Sequence, residues 1–495
     1  MNIIDNDLLS IQEARILAEN ARAAQKVLAT FSQNKLDEIV EHMAEEIRGH
    51  IRELAVMSCD ETEYGKWQDK YIKNQFICEY LLKKLREMRC VGIINEDLQN
   101  KTIDIGVPIG VIAALCPATS PVSTTIYKTL IAIKSGNAIV FSPHPRAKNT
   151  IGKTLDILIS AAEKCGLPEG ALSYLHCVAR GGTSELINHA ATSLILNTGV
   201  PRMLKATTIS GKPFIYGGTG NGPAFIERTA DIGQAVKDII TSKTFDNGVV
   251  SAAEQSVVVD GCISEKVKRE FQNNGAYFLK EEEAQKLGDL LFKADGCPDP
   301  EMVGKSAQEL ALRAGFRVPN SVLLLISEQK YVNDSNPFTK EKLCPVLAYY
   351  IEDDWMHACE KCIELLINEK SGHTLIIHST DEWVIRQFAL KKTVGRVLVN
   401  TPAVFGSMGV TTNLFPAMTL GSGSAGIGIS SDNVSPMNLI YIRKVGYAVR
   451  KAEEIINVEI TEDKPSVRYE ELPLEKKQED IQLLERILNN VVERL

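Results

Sequence analysis

Short apolar runs that alternate with segments of helical length are the feature that most constrains the fold of this chain. From Val107 onward, runs bounded by Gly, Pro and Ser are separated by helix-like segments such as 123–136 and 150–166. Continuous apolar strands that alternate with helices indicate an α/β fold with a mostly parallel sheet covered on both faces. The runs are VPIGVIAALCP, AIVFSPHP, LSYLHCV, TSLILNTG and KPFIYGGTG, followed by QSVVVDG, SVLLLIS, HTLIIHS and GRVLVNTPA.

The two series of runs predict two α/β domains of similar size, joined near residues 240–256. Before them, Ser10 and Glu13 form a capping-box pattern that predicts a helix starting there and continuing to about Phe31. The residues up to about 95 remain helix-like and charged.

The C-terminal residues have a different character. Residues 461–474 are polar and contain prolines, which predicts a linker, and 475–495 place apolar side chains at helical spacing, which predicts a one-faced amphipathic helix. Two interpretations stay open: the helix packs on the parent domain or a sister subunit, or it is a detachable docking peptide. The apolar positions are Ile481, Leu484, Ile487, Leu488, Val491 and Leu495.

Charge and composition exclude several classes. A net charge of −8 with 6% aromatic residues argues against nucleic-acid binding. No apolar run reaches the ~18 residues of a membrane span, and the N-terminal residues lack a signal-peptide pattern. Eleven scattered cysteines are typical of reduced thiols, so we expect a cytoplasmic protein with no membrane partner.

Two common motif patterns carry little weight here. The G-x-G-x-x-G at 421–426 follows no clear strand and has no acid about 20 residues later, so we interpret it as a glycine-rich turn. The C-x-x-C at 359–362 has no second pair and lies in a helical pattern, so we expect no metal site.

Three loops that directly follow predicted strands are more informative, because α/β folds bind ligands there. They span 116–121, 142–148 and 198–202. The second carries three potentially cationic side chains near a predicted helix N-terminus, which favours a nucleotide phosphate or ribose.

Together these loops, in this order, resemble the aldehyde dehydrogenase superfamily, and specifically its CoA-acylating branch. That branch includes the aldehyde half of bifunctional alcohol/aldehyde dehydrogenases and the propionaldehyde and acetaldehyde enzymes of bacterial microcompartments. The resemblance covers roughly residues 5–450. The matching stretches are EYGKWQDKYIKN (63–74), TLIAIKSGNAIVFSPHPRAK (129–148), GNGPAFIERTADI (220–232), SKTFDNGVVSAAEQSVVV (242–259), EKLCPVLAYY (341–350), GHTLIIHS (372–379), LVNTPA (398–403) and SDNVSPMNLIYIRKVGY (431–447).

The resemblance implies a fold and a reaction. It implies a Rossmann-like NAD-binding domain at 1–240, completed by part of 431–460, and a catalytic domain at 241–430. Enzymes of the branch use a cysteine that attacks a short aldehyde, pass hydride to NAD or NADP, and transfer the thioester to coenzyme A as cosubstrate. It also implies a homodimer or homotetramer, and an encapsulation helix at 475–495 that docks on the shell protein of a bacterial microcompartment.

Site residues follow from the resemblance position by position. Glu341 matches the glutamate that holds the nicotinamide ribose, and His373 matches a histidine near the catalytic centre. The glycine-rich stretch 217–221 lacks the glutamate base of the hydrolytic branch, which fits acyl transfer to CoA. The remaining expected cofactor-binding residues are Ser142, His144, Lys148, Thr198, Gly199 and Gly218.

The chain departs from the branch at functional positions. Ser251 stands where the branch has its nucleophilic cysteine, and Ser120 stands where it has an asparagine that stabilises the oxyanion. Val200 and Arg202 replace glycines of the cofactor loop, and Ser422 replaces a cysteine.

These departures leave two explanations of Ser251 open, an introduced substitution and natural divergence. The clustering of departures at functional loops favours divergence. A serine hydroxyl needs an adjacent base to become nucleophilic, and no such base is evident in the neighbouring sequence. Cys116 is the only thiol in a ligand loop, and we do not expect it to substitute. The sequence therefore predicts an impaired acylating aldehyde dehydrogenase, or alternatively a catalytically silent member with a structural or regulatory role.

Overall fold

A computed structural model describes residues 5–294, 296–369, 372–423 and 426–456, together with positions 478, 481 and 482. The predicted linker at 461–474 and nearly all of the predicted helix at 475–495 lie outside the described residues. The helices are α1 (Asn6–Leu28), α2 (Gln33–Arg48), α3 (Ile51–Thr62), α4 (Trp67–Phe76), α5 (Leu82–Arg86), α6 (Pro121–Lys134), α7 (Lys148–Lys164), α8 (Arg180–Asn188), α9 (Leu204–Ile209), α10 (Ile232–Thr244), α11 (Ser264–Asn273), α12 (Glu281–Leu291), α13 (Ala307–Arg313), α14 (Trp355–Glu369), α15 (Glu382–Leu390), α16 (Ala403–Met408) and α17 (Ala452–Ile456).

The strands form three sheets. They are β1 (Gly92–Asp97), β2 (Thr102–Pro108), β3 (Val111–Leu115), β4 (Ile139–Ser142), β5 (Leu172–Tyr174), β6 (Thr192–Thr198), β7 (Phe214–Gly217), β8 (Pro223–Ile226), β9 (Ser256–Asp260), β10 (Ala276–Phe278), β11 (Leu324–Glu328), β12 (Val346–Glu352), β13 (Thr374–His378), β14 (Arg396–Val399) and β15 (Ile440–Gly446).

A five-stranded parallel sheet, in the order β5-β4-β3-β6-β7, forms the centre of the first half. Strands β3 and β4 are buried along their whole length, because helices cover both faces. This confirms the prediction of an α/β fold with a parallel sheet made from the apolar runs.

A seven-stranded parallel sheet, in the order β10-β11-β12-β9-β8-β13-β14, forms the second half. Strand β8 at Pro223–Ile226 belongs to this sheet, so the sheet begins before the join at 240–256 that the sequence predicts. The cause is topological: β8 pairs with β9 and β13 and has no hydrogen-bonded neighbour in the five-stranded sheet.

The third sheet has the order β1-β2-β15, with β1 antiparallel to β2. By their contacts the residues divide into two units. Met1–Leu98 with Thr102–Val445 is the larger, and Gln99–Lys101 with Gly446–Leu495 is the smaller. In the smaller unit, the amide of Tyr447 donates to the carbonyl of Lys101. None of the described helices is long and apolar enough to cross a membrane.

The predicted start of the first helix is wrong. Helix α1 begins at Asn6, where the carboxylate of Asp5 accepts the amides of Asp7 and Leu8. Ser10 is fully buried within the helix and its hydroxyl donates to the carbonyl of Cys177. A tertiary contact, and not capping, therefore explains the serine that the sequence pattern singled out.

Candidate active site

A cavity of about 1000 Å³ lies at the carboxyl ends of the five-stranded sheet. Because β3, β4, β6 and β7 are parallel, their carboxyl ends share one edge, and the loops that follow them line one wall. The opposite wall comes from residues 249–251, 341, 343 and 373, in the second half of the chain. The structure therefore brings the three loops of the sequence prediction together.

All but one of the predicted site residues line this cavity. The exception is Lys148, which is exposed and is the first residue of α7. Those that line it are Ser120, Ser142, His144, Thr198, Gly199, Gly218, Ser251, Glu341 and His373.

The N-terminus of α7 has a protein partner. The carboxylate of Glu61 accepts the amides of Asn149 at 2.9 Å and Thr150 at 2.7 Å. These amides are therefore already satisfied, and Arg146, which lines the cavity, comes from the preceding loop.

Ser251 is held close to the glycine-rich stretch. A Cβ added to Gly220 would lie 1.7 Å from the carbonyl oxygen of Ser251, so the close approach of these two segments requires glycine at position 220. The amide of Gly220 donates to Glu341 Oε1 at 2.7 Å. This arrangement places the half-buried Ser251, Glu341 and the glycine stretch side by side on the cavity wall.

His373 is the titratable group beside Ser251. Its Nε2 lies 3.4 Å from Ser251 Oγ, and its Nδ1 lies 2.7 Å from the hydroxyl of Thr374. Burial, with the positive charge of Arg396 as a second cause, lowers the pKa of His373 to about 3. An imidazole therefore does adjoin Ser251, although no base was evident in the neighbouring sequence. Its low pKa and the absence of a carboxylate at Nδ1 among the described residues make it a poor base.

Ser120 lies between the cavity and a buried charge cluster. Lys73 Nζ donates to Ser120 Oγ at 2.7 Å and contacts Asp246 Oδ2 at 2.6 Å, while Lys70 Nζ contacts the same carboxylate oxygen at 3.0 Å. All three charged side chains are at most 3% exposed. Burial lowers the pKa of Lys73 to about 8, against the opposing effect of Asp246. The contact of Lys73 with Ser120 explains why the stretch 63–74 belongs to the candidate site.

Two arginines, Arg146 on the loop after β4 and Arg202 on the loop after β6, bring positive charge to the cavity. Burial, and then the charges of Arg146 and Arg202, lower the pKa of His144. Arg146 also contacts Glu301 Oε1 at 3.1 Å. The cavity is lined by His144, Arg146 and Arg202, and also by Val200, whereas Glu301 lies outside it.

Some cavity residues were missed by the sequence reasoning. Tyr64 had a signal, because it lies in the matched stretch 63–74, whereas Arg180 and Cys297 had none. Cys116 also lines the cavity but is 1% exposed, and burial raises the pKa of its thiol, which keeps it protonated. Within the described ranges, no cluster of three or more His, Cys, Asp or Glu side chains could hold a metal ion.

The family model described as "Aldehyde dehydrogenase family" matches residues 5–280, more than half of the chain. The chain belongs to the aldehyde dehydrogenase family. This aldehyde dehydrogenase is 38% identical over 452 residues to a bifunctional aldehyde-alcohol dehydrogenase of Escherichia coli, an alignment that covers 90% of the chain and 50% of that protein. The chain thus spans about half the length of the bifunctional relatives it matches.

A shorter relative is matched over nearly its whole length. The succinate-semialdehyde dehydrogenase (acetylating) of Clostridium kluyveri is 32% identical, with 90% of the chain and 97% of that protein covered. A probable aldehyde dehydrogenase of Listeria monocytogenes is 48% identical with a TM-score of 0.89, covering 91% of the chain and 100% of that structure. An acetylating aldehyde dehydrogenase of Geobacillus thermoglucosidasius is 42% identical with a TM-score of 0.88, covering 91% and 99%.

These comparisons confirm the predicted resemblance and fold. The homologues are acylating aldehyde dehydrogenases, a group that oxidises an aldehyde to acyl-CoA with NAD(P) and CoA. The roles of individual site residues in this aldehyde dehydrogenase stay predictions.

Proposed function

We propose that this protein is a divergent acylating aldehyde dehydrogenase for short aliphatic aldehydes, in which Ser251 impairs the covalent step. The observation that carries the proposal is the environment of Ser251. The titratable group within hydrogen-bond distance of its hydroxyl, His373, has a pKa near 3 and no carboxylate behind it among the described residues, so it is not an effective base for the hydroxyl.

The residues on the cavity wall fit a nicotinamide dinucleotide and CoA. Arg146 supplies positive charge for phosphate groups, His144 lies beside it on the loop after β4, and Thr198 and Gly199 lie on the loop that follows β6. When bound, NAD(P) accepts hydride from the aldehyde carbon. Before that step, the protein must hold the aldehyde against the residue at 251, and afterwards it must keep the acyl group from water until CoA enters.

The test compares the parent protein with Ser251→Cys. We expect NADH formation from propionaldehyde and CoA to be more than about 100-fold faster in the variant than in the parent. In other enzymes, loss of a catalytic nucleophile lowers kcat by up to ~10⁶. Ser256→Cys is the matched control, because Ser256 is buried in β9 and does not line the cavity. A folded Ser251→Cys that stays silent across several aldehydes would contradict the proposal.

A second candidate, a catalytically silent subunit, is favoured by Val200 and Arg202. Both side chains line the cavity at positions where the family has glycines, and they crowd the approach of a dinucleotide phosphate. Equilibrium binding of NAD⁺ by calorimetry tests this candidate. Tight binding of NAD⁺ to the parent would count against it.

The C-terminal sequence supports a proposal about partners. The apolar positions of 475–495 and the linker before them suit a helix that docks on a microcompartment shell protein. Deletion of 461–495 should abolish co-purification with shell protein, whereas unchanged co-purification would contradict docking. We also propose a homodimer or homotetramer, to be measured by light scattering.

A further inference from the structure

The Ser120 hydroxyl has a single partner that leaves its hydrogen available. Ser120 precedes the first residue of α6 but makes no side-chain hydrogen bond to the helix, although serine at this position usually caps it. Lys73 Nζ donates to Ser120 Oγ, and no other hydrogen bond to this hydroxyl occurs in the part of the chain that the structure describes. Because an ammonium has donors and no acceptor, the Ser120 hydrogen must point elsewhere. Ser120 lines the cavity, so that direction is open.

The position of Lys73 is strongly constrained. Its side chain is 1% exposed and its ammonium is held by Asp246, whose other oxygen accepts the amide of Lys66 at 2.7 Å. Asp246 has a φ of +50°, and a Cβ added to Gly65 would lie 1.8 Å from its Oδ1. The turn that contains Asp246 therefore packs closely against the stretch 63–74, and this packing holds the Lys73 ammonium next to Ser120.

A second hydroxyl on the same wall lacks a partner. Thr124 lies in the first turn of α6, is 1% exposed and lines the cavity, and its Oγ1 has no hydrogen-bond partner among the described residues. A buried hydroxyl without a partner costs free energy unless a ligand completes it. Helix α6 also directs its positive end to this wall. The Ser120 hydroxyl, the Thr124 hydroxyl and the N-terminus of α6 thus lie on one wall, and each of them favours a ligand oxygen that carries partial negative charge.

We propose that the Lys73 ammonium holds the Ser120 hydroxyl as a hydrogen-bond donor toward the carbonyl oxygen of an acyl group bound in the cavity. Ser120 is the contacting residue and Lys73 is the positioning residue. The pair replaces the asparagine amide of the family: the ammonium polarises a hydroxyl, which then donates as the amide would. The inference rests on the proposed function, because it takes acyl-CoA as the ligand.

The experiment measures the carbonyl group directly and needs no turnover. Propionyl-CoA labelled with ¹³C at the carbonyl is bound to the full-length parent, and isotope-edited infrared spectra give the C=O stretching frequency. A hydrogen bond to the oxygen lowers this frequency. We expect a lowered frequency in the parent, a return toward the value of free propionyl-CoA in Ser120→Ala, and a retained shift in Ser120→Asn.

Lys73 is tested in two ways. Lys73→Gln should lose part of the shift, and in the parent the shift should decrease as the pH rises through about 8, where Lys73 loses its proton. The titratable groups around Lys73 are Asp246, Lys70, Asp69 and Cys59. The pH series keeps the test valid if Lys73→Gln does not fold. Ser123→Ala is the matched control, because Ser123 is buried on α6 and does not line the cavity.

Each outcome decides between the two proposals. If calorimetry shows that propionyl-CoA binds but its frequency equals the free value, or is unchanged by Ser120→Ala, the inference is overturned and the proposed function stands. If Ser120→Ala removes the shift but Lys73→Gln and pH do not, the positioning role of Lys73 is overturned. If propionyl-CoA does not bind at all, both proposals fall.

Discussion

The imidazole Nε2 of His373 lies 3.4 Å from the hydroxyl oxygen of Ser251. The contact resembles the serine and histidine pair of a hydrolase, but the surroundings differ. Nδ1 faces the Thr374 hydroxyl, and Arg396 donates to the His373 carbonyl at 2.9 Å. A positive charge beside an imidazole weakens it as a base, whereas a carboxylate would strengthen it. We therefore expect the pair to position Ser251 without activating it.

The low pKa of His373 predicts acid sensitivity. In the unfolded chain histidine titrates near 6.5, and in the folded protein near 3. Between these values the unfolded state binds one more proton, so stability falls as the pH drops below 6.5. From pH 7 to 5, the contribution of His373 should fall by about 2 kcal/mol. The free energy of unfolding, measured in urea at pH 7 and pH 5, should fall less between these pH values in His373→Gln than in the parent.

The control for this pH series is His50→Gln, at a half-buried histidine before α3. It should keep the pH slope of the parent. If stability depended equally on pH in the parent and in His373→Gln, the low pKa assigned to His373 would be contradicted. His378, whose pKa burial lowers to about 4, should account for much of the remaining slope.

Ser120 should affect the chemical step more than binding. In an active Ser251→Cys background, Ser120→Ala should lower kcat about 100-fold with a smaller change in KM, because an oxyanion donor acts mainly in the transition state. Ser120→Asn, which introduces the residue of the family, should restore most of kcat. A raised KM at unchanged kcat would instead indicate a role in binding the ground state.

Asp246 should be essential for stability. Asp246→Asn leaves Lys70 and Lys73, both almost fully buried, without their shared carboxylate. Removing one partner of a buried ion pair costs about 3–5 kcal/mol, which should appear as a lower Tm or urea midpoint. Glu185→Gln is the contrast, because its pairing with Arg15 is exposed and its loss should change the Tm little. Similar effects of the two variants would contradict this ranking.

Val200 should hinder dinucleotide binding. Its branched side chain lines the cavity next to Gly199, which has a φ of +62°. Val200→Gly removes that side chain and lets a phosphate approach the backbone, so NAD⁺ should bind several-fold more tightly by calorimetry. Ile209→Gly is the control, because Ile209 is exposed at the end of α9 and outside the cavity. Unchanged or weaker NAD⁺ binding would show that Val200 does not crowd the site.

Local sequence carried enough information for the main architecture. The apolar runs are continuous because both faces of each parallel strand are buried, so strands such as β3, β4 and β6 were predictable without the structure. The loops after them were predictable as site loops because parallel strands end at one edge. The prediction that Ser251 stands at the position of the nucleophile rests on the matched stretch around it.

Only the tertiary structure decided how distant residues meet. Lys73 and Ser120 lie 47 residues apart, and Ser251 and His373 lie 122 apart, so no local pattern could place their atoms in contact. The assignment of β8 to the second sheet also depended on strand pairing and not on its apolar pattern. The sequence determined which elements form and which chemical groups they carry, because helix and strand patterns are local. Packing of the elements decided distances, burial and hence pKa values, because these depend on neighbours that arrive from elsewhere in the chain.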